Sequence, residues 1–209
     1  MTALCKICEK KRGRRLCPGV GAEICAPCCA ASREITIDCP STCEYLREAR
    51  FHEVPTPMAE ELIPNKDIQL SESFIRDHDS LVLVLGLALK RAMNEAKAVD
   101  FDAREALEAL IKTYRTLKSG LIYETRPANP YAAGLQDKIT DAIQEMQKRL
   151  AGKGTSIPDV SVLGSLVFLQ RLELQYNNGR RRGRAFKDFL ADYIPEPTAP
   201  AQESSALVI

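Results

Sequence analysis

The chain has 209 residues, 45% of them hydrophobic and 27% charged, with a formal net charge of +1. That is enough for one substantial core and a small satellite. Near-neutrality excludes a global field that would recruit nucleic acid or membranes, so any electrostatic recognition has to be local. The longest apolar run, Leu81 to Leu89, is about half of the roughly 20 residues that a bilayer span needs, and no transmembrane segment is expected.

All eight cysteines lie between residues 5 and 43, in the order Cys5-x2-Cys8, Cys17, Cys25-x2-Cys28-Cys29 and Cys39-x3-Cys43. A structural zinc site is closed by four sulfur or nitrogen ligands, so eight thiolates match two Zn2+ ions, and one ion could not use them all. A disulfide framework also suits an even count, but in a secreted chain. The first residues lack the apolar core of a secretory signal, and the Cys5–Cys8 spacing suits chelation of one ion better than a bridge. We expect a cytoplasmic or otherwise intracellular protein, not a secreted one. Iron–sulfur ligation is disfavoured because the tight three-cysteine run of many cluster proteins is missing.

Catalysis by these thiols fits less well. Cys25-Ala-Pro-Cys28 has the spacing of a redox pair, yet the alternating strand–helix context is absent and six cysteines would be left unexplained. Hydrolytic zinc requires an open coordination position, whereas a thiolate-only set is closed. His52 reads as a surface histidine once eight thiols are present. His78 has no second ligand beside it, and spacing ties no nucleophile to it.

Two adjacent zinc ions commonly hold interleaved ligand pairs. On that model Cys5, Cys8, Cys25 and one of Cys28 or Cys29 serve one ion, and Cys17, Cys39, Cys43 and the remaining thiol serve the other. The spacing leaves the choice between Cys28 and Cys29 open.

Over residues 1–52 this spacing resembles the MYND and HIT families of small zinc fingers. Cys5-x2-Cys8 matches their first pair, Cys17 opens the second, Cys25-x3-Cys29 matches the third, and Cys39-x3-Cys43 matches the last, where MYND fingers commonly have His then Cys. The expected partner of Cys17 falls on Val20, so under the resemblance Cys28 supplies that thiolate. The resemblance implies a cross-braced double-zinc finger and, as its activity, protein recognition or scaffold assembly.

Asp38-Cys39-Pro40-Ser41-Thr42-Cys43-Glu44 predicts a helix with Cys39 near its N-cap and Pro40 in its first turn, which would put Cys39 and Cys43 on one face. Tyr45, Leu46, Ala49 and Phe51 are candidates for the finger's few apolar contacts. Between Cys8 and Cys17 lies a basic loop with Lys10, Lys11, Arg12, Arg14 and Arg15. It could meet phosphates, but no aromatic residue interleaves it and base stacking is not indicated. A solvated loop that offsets thiolate charge is the simpler reading.

Residues 53–70, rich in proline, read as a linker. From about residue 71 to 194 the pattern is helical. The run at 81–89 has no strand partner and is read as a helix apolar on all sides, hence the centre of the bundle. Leu107, Leu110, Ile111, Tyr114 and Leu117 form the next stripe, with Asp100 or Asp102 as N-cap and Gly120 as stop. Asn129-Pro130 opens a helix with Leu135, Ile139, Ile143, Met146 and Leu150 inward, and Pro158 opens another with Val162, Leu163, Leu166, Val167 and Leu172. Gly152-Lys153-Gly154-Thr155-Ser156 lacks the strand and spacing of a phosphate loop and reads as a turn. Asp100, Asp102, Glu105 and Glu108 suit capping and a wet face better than acid/base work.

A second basic cluster, Arg180, Arg181, Arg182, Arg184 and Lys187, precedes a short helix at about 183–194 with an amphipathic face of Phe186, Phe189, Leu190, Tyr193 and Ile194. Cations at a helix N-terminus oppose its dipole, so helix stability does not account for them, and they read as a docking patch or as flexible solvated arginines. Residues 195–209 read as a disordered tail. The expected fold is therefore mainly α: a small N-terminal zinc-binding domain, then an antiparallel α-helical bundle. The expected function is a non-catalytic interaction or adaptor protein with a protein partner. The alternatives are an RNA- or DNA-binding regulator using the two basic clusters, a thiol redox protein, or an enzyme in the bundle.

Overall fold

The computed structural model describes residues 3–53 and 59–196. The protein is mainly helical, as expected, with one small sheet among the described residues. Strands β1 (Arg15–Cys17) and β2 (Ala22–Ile24) and helices α1 (Ala26–Ser32) and α2 (Glu44–Phe51) make up the cysteine-rich part. The rest holds α3 (Glu72–Asp77), α4 (Asp79–Glu95), α5 (Asp100–Lys118), α6 (Pro130–Ala151), α7 (Asp159–Tyr176) and α8 (Ala185–Tyr193). Among the described residues no helix is long and apolar enough to cross a membrane. Each part has its own apolar cluster: Leu85, Leu89, Leu107, Leu135, Ile139 and Leu166 belong to the larger, and Ile24, Ile37, Leu46 and six buried cysteines to the smaller.

Local chemistry sets the helix ends. Ser71 caps α3 by accepting from the Phe74 amide, and Asn129 caps α6 by accepting from the Tyr131 amide with Pro130 in the first turn. α5 differs from expectation, since its N-cap is Val99 and Asp102 reaches back to the Val99 amide at 2.9 Å. Asp100, at the first helical position, is used elsewhere. Its carboxylate accepts from the amides of Phe186 (3.0 Å) and Lys187 (3.1 Å), so α5 caps the start of α8. Both aspartates are buried, not on a wet face. Burial pushes the Asp100 carboxyl up to about 7 against the pull of those two amides, and the nearby Glu173 charge adds to the rise. Gly120 (φ +77°) follows α5 and Gly154 (φ +73°) closes the turn after α6, conformations that favour glycine.

The main helix contacts run α5–α7, α4–α6, α5–α6 and α4–α7, a ring in which α4 and α5 lie across from one another. The all-round apolar helix is α7 and not α4. Ser161 to Val167 are buried without a break, whereas Leu83 on α4 is 47% exposed. α8 closes the bundle with Phe186 and Leu190, and buried Lys90 donates to the Ile194 carbonyl at 2.6 Å. Tyr193 stays exposed. Residues 64–70, expected as linker, are clamped down: Arg115 pairs with Asp67, and Arg171 donates to the carbonyls of Asn65 (2.8 Å) and Ile68 (3.1 Å). Of the tail, Glu196 is described and ion-paired with Lys90 and Arg91; residues 197–209 lie outside the described ones.

Candidate metal centre

The cysteine-rich part begins as a ribbon. The Cys5 amide donates to the Lys11 carbonyl at 2.8 Å and the Gly13 amide to the Ala3 carbonyl at 2.9 Å. β1 and β2 then pair antiparallel with Leu16 opposite Glu23 and Cys17 opposite Ala22. Gly13 is where these segments cross, for a Cβ there would lie 2.7 Å from that of Glu23. Alternation buries Cys5, Cys17 and Ile24 and leaves Leu4 and Leu16 in solvent.

Cys5 and Cys8 sit on the first turn of this ribbon, and Cys25 and Cys28 at the start of α1, where Cys25 is the N-cap and Pro27 lies in the first turn. The four sulfur atoms all lie within 4.8 Å of one another, with Cys8 Sγ 3.9 Å from Cys25 Sγ. A tetrahedron of thiolates around zinc, with Zn–S of about 2.3 Å, has S–S edges of about 3.8 Å. The donor set therefore fits a tetrahedral thiolate metal.

Backbone amides complete the cup. Burial alone would push the Cys5 thiol up, but the amides of Cys8, Cys25 and Ile7, together with the Cys25 side chain, bring it down to about 6. The amides of Lys10 and Lys11 hold Cys8 below the ordinary thiol range. Glu9, at φ +52°, turns the chain so that these two amides face the sulfur. Cys28 is the opposite case, pushed up to about 12 by its hydrogen bond with Cys25 and by burial. Four thiols this close cannot all ionise unless a cation joins them, which is the condition that a bound metal meets.

Cys28, not Cys29, joins Cys5, Cys8 and Cys25. This differs from the pairing of Cys25 with Cys29 that the resemblance implies, and the reason is helical: successive residues of α1 point about 100° apart, so Cys28 faces the ribbon and Cys29 turns into the small core. Cys17, Cys29, Cys39 and Cys43 are all buried there, although no such tight group forms among them. Burial pushes the Cys39 thiol up, the Glu34 amide opposes this, and charges on Cys17, Glu34 and Cys43 add to the rise. Val20 is partly exposed, at 36%. α2 starts later than expected. Cys43, not Cys39, is its N-cap, and its amide donates to the Pro40 carbonyl at 2.9 Å in a turn that precedes the helix. Leu46 is buried, while Phe51 is 87% exposed and no part of the small core. His52 is exposed beside it, away from every thiol group.

The basic clusters part company. Arg184 is 7% exposed, paired with Asp38 and donating to the carbonyls of Cys39 (3.2 Å) and Lys97 (3.2 Å). The Arg182 amide donates to the Glu34 carbonyl at 2.8 Å, and Arg180 to the Arg33 carbonyl and Glu53. This cluster is the seat of the cysteine-rich part. Its centre is Glu34, fully buried at φ +53°. Its carboxylate accepts from Arg50 (2.6 Å), the Arg184 amide (3.0 Å) and Asn178 (2.7 Å). Arg50 also pairs with Asp188 on α8. Sequence reasoning missed Glu34, for which no local pattern exists. Arg181 and Arg182 keep exposed side chains. In the first cluster, Arg15 lies over the Tyr45 ring at 4.7 Å, whereas Lys10, Lys11, Arg12 and Arg14 are exposed and make no ion pair among the described residues.

In the bundle, His78 is tied to a serine that spacing did not reveal. Its Nδ1 is 2.8 Å from the Phe74 carbonyl and its Nε2 2.8 Å from Ser161 Oγ. A carbonyl only accepts, so Nδ1 carries a proton, and in the neutral ring Nε2 accepts from the Ser161 hydroxyl.

Fold and site together define a helical protein with a four-cysteine candidate metal centre seated on its bundle. Comparison with protein-family models, curated proteins and solved structures finds no match to this chain.

Proposed function

We propose that residues 3–52 form a double-zinc finger and that the chain is a non-catalytic interaction or adaptor protein, its finger carried on the helical bundle. The observation that carries this reading is the gathering of four thiols within 4.8 Å under backbone amides. Zinc is the metal because a closed all-sulfur tetrahedron is its structural mode and leaves no position for a substrate. The second ion would take Cys17, Cys29, Cys39 and Cys43, the four thiols that the first leaves over. The cysteine spacing that resembles MYND and HIT fingers supports both the cross-brace and a protein partner.

Elemental analysis of protein purified reduced, without added metal, tests the reading. It is expected to give about two zinc ions per chain, with all thiols released by a chelator. A single ion would confine the metal to Cys5, Cys8, Cys25 and Cys28. Iron, or oxidised thiols without metal, would overturn the zinc finger.

A catalytic reading has one specific observation in its favour, the Ser161–His78 hydrogen bond, which has the parts of a nucleophile and base. Ser161 is only 6% exposed and the His78 ring is stacked on Phe74, so we assign the pair to holding α3 against α7. A fluorophosphonate probe is expected to leave Ser161 unmodified. Covalent labelling of Ser161 that His78→Ala abolishes would show an enzyme instead.

A further inference from the structure

The bundle seats the finger on one side and leaves the ribbon free on the other. Leu4 is 61% exposed, Leu16 70% and Ile7 42%, all with the bundle in place. Arg12 is paired opposite Leu4, and Arg12, Arg14 and Leu16 are exposed in alternation with the buried Gly13 and Cys17, so they share a face of the ribbon; Arg12 and Arg14 make no ion pair among the described residues. The arrangement is not a floppy loop. Leu4 and Arg12 are bridged backbone to backbone, and the Lys10 and Lys11 amides are directed at the Cys8 sulfur. The candidate metal site therefore fixes a cationic surface studded with aliphatic side chains.

A solvated cationic loop would have no use for three exposed aliphatic residues. A surface for single-stranded nucleic acid adds exposed aromatic rings for base stacking, whereas here Tyr45 is covered by Arg15, and phosphates alone would leave the leucines unused. A peptide with carboxylates for the cations and apolar side chains for the leucines satisfies both features, and the local acids Glu9 and Glu23 leave the cations in excess. We propose that this face docks an extended, acidic segment of a protein partner that carries apolar side chains between its carboxylates. The proposal rests on the zinc-finger reading above and names the partner chemistry for it.

The test is fluorescence anisotropy on the full chain with its metal content measured. The probe is a labelled peptide of about twelve residues alternating acidic and apolar side chains, set against oligothymidylate and oligouridylate of equal charge. The peptide is expected to bind more tightly than either oligonucleotide. Arg12→Glu with Arg14→Glu should weaken it and flatten its salt dependence. Leu4→Ser with Leu16→Ser should weaken it about tenfold or more while the salt dependence stays unchanged. Metal content and helix signal of each variant guard against simple misfolding. Metal-loaded protein that ignores the peptide, or that binds an oligonucleotide more tightly and indifferently to the leucine changes, overturns the docking proposal and leaves the zinc finger standing. Protein without metal, with residues 3–52 open to hydrogen exchange, overturns both.

Discussion

Cys5→Ser is expected to cost the protein its bound metal and the fold of residues 3–52, while α4 to α7 stay helical. Outside the cysteines the finger core contains three buried aliphatic side chains, Ile24, Ile37 and Leu46, worth roughly 1.5–3 kcal/mol each. That is too little to order a segment of this length without metal. Structural zinc supplies apparent free energies of about 10–16 kcal/mol, and losing one of four thiolates takes a large share of it. The bundle has a separate apolar cluster and does not depend on the ion. Hydrogen exchange read by mass spectrometry should therefore show the finger amides losing protection and the helix amides of α5 and α7 keeping theirs. Retained protection at Cys5 to Cys28 in the serine variant would mean that packing, not metal, organises the finger.

Glu34→Ala should uncouple the two parts, at a cost of about 1–3 kcal/mol, the usual penalty for leaving buried hydrogen-bond donors without an acceptor. The carboxylate receives three hydrogen bonds from Arg50, Asn178 and the start of α8. Its removal leaves the Arg50 guanidinium, 15% exposed at its side chain, with Asp188 as its remaining partner. Because Glu34 holds a left-handed φ of +53°, Glu34→Gly relieves backbone strain of about 1–2 kcal/mol that the alanine variant retains. The glycine variant should be the less damaged of the two. Denaturant unfolding followed separately by metal release and by helix signal is expected to change from one coincident transition to two. Coincident curves and a loss below about 1 kcal/mol would show that this buried carboxylate does not hold the finger to the bundle.

Parts of this architecture are written in short stretches of sequence. The stripe Leu107, Leu110, Ile111 and Tyr114 and the Asn129-Pro130 start are local signals, and both elements form where those signals place them. α1, with seven residues, is too short to show a period in sequence, although Cys25 followed by Pro27 is a local start signal. The onset of α2 was misplaced because Pro40 suits a tight turn as well as a first helical turn. Asp100 illustrates a different limit. Its own helix could be read from sequence, but its task of capping α8, 85 positions away at Ala185, could not.

The sequence by itself determined that eight thiols in one short segment form a candidate metal-binding constellation, and that the remainder is built from amphipathic helices with defined caps. These follow from residue type and from periods of a few positions, which act within a turn or two of chain. Only the tertiary structure decided that Cys28 and not Cys29 completes the first thiol group, that α7 and not α4 is buried all round, and that one arginine cluster seats the finger while the other faces solvent. Those outcomes depend on which surfaces meet beyond a turn or two of chain, from Cys5 with Cys28 in the thiol group to Glu34 with Arg184 over a separation of 150. A charge run looks the same in sequence whether it meets a buried carboxylate or water, and the difference is made when the two cores pack.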